Sequence, residues 1–156
     1  MQPAFGVKAS LRQLILALVF FGIVGLEIEL ALLRHAESFS QIIPHASLFV
    51  GLIATIAVYV RPRRGAIKAF QLLMVLYLLI GLLGVYLHYR GNVEFALERY
   101  PTLNGVRLMW KALRGATPAL APGALAQLGL LGLLYTYRHP ALDRSSAMTT
   151  HSEDIL

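Results

Sequence analysis

The stretch AFQLLMVLYLLIGLLGVYLHY, residues 69–89, decides the fold. It holds no Asp, Glu, Lys or Arg. As a helix rising about 1.5 Å per residue it matches the ~30 Å of bilayer hydrocarbon. Three further stretches are apolar over a comparable length, the first of them with Arg12, Glu27 and Glu29 inside it. One runs from about Leu11 to Leu33. Another begins near Ile42, with Ser40 placed as an N-cap, and ends at Val60 before Arg61-Pro62. The last runs from about Ala119 to Tyr137, with Pro118 and Pro122 in its opening turn, where a missing N–H is harmless, and stops at His139-Pro140. The stretch at 69–89 is itself expected to stop at Gly91-Asn92.

Composition agrees. Of 156 residues, 57% are hydrophobic and 14% charged, more apolar surface than a soluble domain of this size hides. The expected fold is therefore an all-α integral membrane protein, a four-transmembrane-helix bundle formed by residues 1–142. Residues 143–156, polar and rich in Ser and Thr, are expected to be a disordered tail. Lys8 and Arg12 resemble the basic start of a signal peptide. The apolar run behind them is too long for one, and Glu27, Glu29 and Arg34 stand where small residues would precede cleavage. It reads as a retained helix.

The chain has no cysteine, which removes disulfides, iron–sulfur clusters, thiolate metal sites and cysteine nucleophiles together. No phosphate loop, nucleophile elbow or dinucleotide fingerprint occurs. The net charge of +6 comes from basic residues at the ends of apolar stretches, the pattern of membrane topology rather than of a nucleic-acid stripe. Residues 61–68 hold Arg61, Arg63, Arg64 and Lys68 and no acid, so the positive-inside rule puts this loop and both termini in the cytoplasm. Abundant Arg, Leu, Ala and Gly point to a GC-rich bacterium and hence to its inner membrane. Against the rule, the outer loop carries Arg90, Arg99, Arg107, Lys111 and Arg114. Within it, Val106, Met109, Trp110 and Leu113 recur at helical spacing opposite Arg107, Lys111 and Arg114, which predicts an amphipathic interfacial helix. Asn92 is expected to cap a short turn bearing Glu94 and Glu98, ended by Tyr100-Pro101, with Arg90 as a partner for Glu94.

Three stretches carry a Gly-x-x-Gly pair: Gly22/Gly25, Gly81/Gly84 and Gly129/Gly132. Glycine lets helices approach closely in lipid, so these are the expected packing positions. In the first and third stretches an acid or base follows on the glycine face, Glu29 and His88, and the two are expected at similar depth near the outer boundary. Packing of those faces would join carboxylate and imidazole, with His45 and His35 at the same level. An interhelical hydrogen bond is the plain reading of such a pair. The sharper one is a protonatable or metal site, where imidazole and carboxylate suit a transition metal. A haem between His45 and His88 is the less favoured alternative, since no haem signature accompanies them. Glu27 lies about 200° round the helix from Glu29 and is expected to face a second helix, a subunit or the headgroups. Gln127 is expected to hydrogen-bond inside the bundle, and Tyr59, Tyr86, Tyr89, Tyr135 and Tyr137 to form aromatic belts. Two functions follow: a small accessory subunit docking on other membrane proteins, or a bundle handling a cation, proton or redox cofactor at its outer mouth.

Overall fold

The computed structural model describes residues 4–33, 39–115, 120 and 122–143. Arg34, His35, Pro118 and Ala119 and the tail from 144 lie outside the described residues, so the readings placed on them go no further. The described chain is helical without strands: α1 (Ala4–Leu32), α2 (Phe39–Val60), α3 (Arg64–Arg99), α4 (Gly105–Leu113), α5 (Gly123–Thr136) and α6 (Pro140–Asp143). Three of these, α1 over Leu11–Leu32, α2 over Gln41–Val60 and α3, are long and apolar enough to cross a membrane.

Several boundaries differ from the sequence reading. Ser40 lies inside α2 and is not its N-cap. α3 runs through Gly91-Asn92 and ends only at Tyr100, where Pro101 cannot continue a helix. Gly91 costs the helix about 1 kcal/mol relative to Ala, but neighbours on both sides offset this. Arg90 Nε donates to Glu94 Oε1 at 2.8 Å across the weak point, as the spacing predicts. Asn92 does not start a new turn; it is buried within α3 and its Nδ2 donates to the Ala112 carbonyl at 3.0 Å, tying the end of α4 to α3. α5 is 14 residues long, about 21 Å, and starts later than the expected Ala119.

α1, α2, α3 and α5 form a closed ring of antiparallel neighbours, each packed on the next, with α5 also against α1. The diagonal pairs, α1 with α3 and α2 with α5, have no contact between their backbones among the described residues. The tightest seam joins α3 to α5. A Cβ on Gly81 would sit 2.5 Å from the Ala126 nitrogen, and one on Gly129 would sit 2.6 Å from the Met74 carbonyl oxygen. Gly84 meets Pro122 and Gly132 meets Met74, so one register runs the length of the seam. Gly22 faces Leu128, whereas Gly25 has nothing within 4 Å. Inside the ring, Phe70, Met74, Tyr77, Val19, Ile23, Leu48 and Leu128 fill the interior. The threonine hydroxyls there turn back on their own helices: Thr55 donates to the Gly51 carbonyl at 2.7 Å and Thr136 to that of Leu133 at 2.9 Å. Among the described residues no buried side-chain donor lacks a hydrogen-bond partner.

The end near Arg61 is closed by Arg12, whose guanidinium donates to the carbonyls of Arg138 at 2.8 Å and Tyr137 at 3.3 Å. Tyr135 is buried against Phe70 and His139 and so belongs to the core, not to an aromatic belt. Tyr59, Tyr86 and Tyr137 are exposed, as belts require. His139, beyond α5, has its imidazole held below the usual range, first by burial and then by the Arg12 guanidinium. The unfolded chain protonates this group near its ordinary value while the fold resists, so stability is full above that value and lost as pH falls below it. Thermal unfolding in detergent from about pH 8 to about pH 5 is expected to show this acid loss, and His139→Gln to flatten it.

Candidate functional site

The expected meeting of Glu29 and His88 does not occur. They stand on diagonal helices, and Glu29 is exposed. They also differ in depth. Tyr77 hydrogen-bonds α2 at Ser47, and His88 lies eleven residues further along α3, roughly 16 Å. His45 lies only two residues beyond Ser47, about 3 Å. The assumption of equal depth failed because the α2–α3 register, fixed by Tyr77 opposite Ser47, carries His88 well beyond the level of His45. His45 and His88 therefore do not flank one haem-sized space at one level.

The structure instead joins Glu27 to His45. The imidazole Nδ1 lies 2.8 Å from the carboxylate Oε1, closing α1 onto α2. The local reason is hairpin symmetry. Antiparallel neighbours joined by a short loop face each other at equal distances from its middle, and positions 27 and 45 are each nine residues from position 36. Gln13 and Tyr59, which line one groove between the same helices, are each 23 residues from it. Glu27 thus faces a second helix, as its own position on α1 implies. Its other oxygen, Oε2, is buried and has no hydrogen-bond partner among the described residues.

Beneath the pair sits Tyr77, a residue the sequence reading did not single out. It is wholly buried, and its hydroxyl donates to the Ser47 carbonyl at 3.0 Å. Glu27 is close enough to act on that hydroxyl electrostatically. Gly51 makes room for it: a Cβ there would collide with the Tyr77 hydroxyl oxygen. Such a close approach requires glycine. The signal was available, since a lone phenol in mid-span must find an acceptor, and the glycine facing it is the fitting residue. Ser47 Oγ in turn donates to the carbonyl of Pro44 at 2.7 Å, one turn back in α2.

Two features bear on what this arrangement does. First, no group of three or more His, Asp or Glu among the described residues is placed to hold a metal ion. Glu27 and His45 supply two ligands where protein sites for transition metals commonly use three or four. Secondly, Glu27, His45 and Gln127 lie at the rim of the bundle. The side chain of Glu27 is 43% exposed and that of His45 20%. Gln127, expected inside, is exposed in the middle of α5. The ring's interior is filled by apolar side chains. No protein-family model, curated protein or solved structure matches the chain.

Proposed function

We propose that the chain is an accessory subunit of a larger membrane complex, crossing the bilayer four times and docking sideways on its neighbours. The fourth crossing is α5, whose seam on α3 runs from Pro122 opposite Gly84 to Tyr135 against Phe70, at depths where α3 is apolar. A hydrophobic segment shorter than the bilayer is accommodated by local thinning and by polar flanks. Arg61, Arg63, Arg64 and Lys68 place their end in the cytoplasm, with both termini, and the composition favours a bacterial inner membrane. α4 then lies at the outer surface, with Val106 and Trp110 exposed for the headgroup layer.

One observation carries the accessory reading: Gln127 and the Glu27–His45 pair lie on the outside of a packed ring, where the proposed crossings put them at membrane depth. An amide in hydrocarbon without partners costs several kcal/mol, so a protein surface is the fitting neighbour. Site-specific photocrosslinking in native membranes tests this. A crosslinker at position 127 should give a discrete adduct with a different protein, and one at Leu79, exposed on α3, should give lipid adducts. Lipid adducts alone at 127, or an adduct only with a second copy, would sink the reading. A cation- or proton-handling role for the same pair is the second reading. It is favoured by the unpartnered Oε2 of Glu27, which a proton or cation would satisfy.

A further inference from the structure

Beyond the proposed crossings, α3 and α4 line a half-open hollow of about 180 Å³. Three cations line it, Arg99 from α3 and Lys111 and Arg114 from the end of α4, with no carboxylate among the lining residues. None of the three is ion-paired among the described residues. The adjoining stretch 116–121, Ala-Thr-Pro-Ala-Leu-Ala, has no acid to offer. Lys111 lies over the Tyr100 ring at 5.1 Å and Arg114 over Trp110 at 5.4 Å. A ring face holds a cation in place without neutralising it. Three like charges around one hollow repel one another unless an anion joins them.

The walls are built, not incidental. Asn92, buried at the floor, fastens the end of α4 to α3 through the Ala112 carbonyl, and Gly115 packs directly on its side chain. A water molecule needs about 10–15 Å³ of such space, so the hollow takes a polyatomic anion. Phe95 and Tyr100 add an apolar wall, which suits the ester side of a phosphate.

We infer that this cavity binds a phosphate group, that of a lipid headgroup or of a soluble phosphate, through Arg99, Lys111 and Arg114. Guanidinium and ammonium donors are the side chains suited to phosphate oxygens. Basic pockets between membrane helices bind anionic headgroups on the cytoplasmic side, and the same charge chemistry serves at the other face. The inference also accounts for basic residues that the positive-inside rule leaves unexplained in an outer loop. It is independent of what Glu27 and His45 do.

The test is native mass spectrometry of the full chain in detergent, with phosphatidylglycerol or inorganic phosphate added as probe. The wild type should retain one of them. Arg99→Gln, Lys111→Gln and Arg114→Gln should each weaken retention about tenfold, the size of one charge-assisted hydrogen bond. Arg61→Gln, at the other end, should leave it unchanged. Displacement of the lipid by inorganic phosphate marks a site that reads phosphate alone. Retention of the lipid against excess phosphate marks a headgroup site. Circular dichroism checks that each variant is folded, and the single changes replace one another if any is not. Lipid binding equal in wild type and all three variants, or binding of neither probe by the wild type, would overturn the inference.

Discussion

Gly129→Leu is expected to destabilise the chain by about 3 kcal/mol, the upper end of the usual cost of overpacking a well-filled interior. At this chain length that corresponds to a fall of roughly 6–12 °C in the midpoint of thermal unfolding. The argument rests on what the new side chain meets. Its Cβ would lie 2.6 Å from the carbonyl oxygen of Met74 and 2.8 Å from the amide nitrogen of Leu78. Both are backbone atoms of α3, so no rotamer change gives way and the two helices must part. The same logic applies at Gly81, where the obstacle is the nitrogen of Ala126. Gly25→Leu is the control. It belongs to a Gly-x-x-Gly pair of identical spacing, yet its Cβ position is open, so the change should stay within about 0.5 kcal/mol. Equal losses at positions 129 and 25, read by thermal melts of the purified protein, would show that the α3–α5 seam is not where this fold is held.

That contrast shows how far the sequence could be read. The long helices were legible because an uncharged run the length of residues 69–89 has one economical solvent, lipid. The glycine pairs identified residues able to pack closely, but spacing alone does not say which face has a neighbour, and Gly25 has none. The end of α3 was misread for a related reason. Gly91-Asn92 is a stop signal by local preference, whereas the structure uses Asn92 to anchor α4 and spans the gap with Arg90 and Glu94. With the α2–α3 register unread, His88 was placed level with Glu29, and the wrong carboxylate was matched to the wrong imidazole. Within-helix periodicity tells which residues share a face; it does not tell which helices are neighbours. Hairpin symmetry does, because a short loop forces consecutive helices together. It pairs 27 with 45 about position 36, and Ser47 with Tyr77 about Pro62, each fifteen residues away.

Glu27→Lys should be the most damaging single charge change at membrane depth. It replaces the carboxylate 2.8 Å from His45 Nδ1 with an ammonium that can only donate, so the imidazole must shift its proton to Nε2 and accept, or face the ammonium as a second donor. A satisfied interhelical hydrogen bond in lipid is worth about 0.6–2 kcal/mol. The change forfeits that bond to the carboxylate and penalises the protonated imidazole, so a loss of about 1–2 kcal/mol is expected. The exposure of Glu27 limits it, since the new ammonium can turn towards the headgroups along its flexible stem. The decisive variant is therefore the exchange Glu27→His with His45→Glu. Each single change breaks the pair, while the double change restores carboxylate and imidazole across the same α1–α2 seam with the order reversed. If the contact is what matters, the double variant should recover most of the stability lost by the two singles, a coupling of about 1 kcal/mol in a double-mutant cycle. Losses that merely add would mean that Glu27 and His45 act on separate neighbours, and the pair would cease to be a site. Partner adducts at position 127 provide a second reading of the same variants. Under the accessory reading they should weaken in the singles and return in the exchange. A cation held by the pair would show instead as metal content of the purified protein that falls in both singles, whether or not the adduct survives.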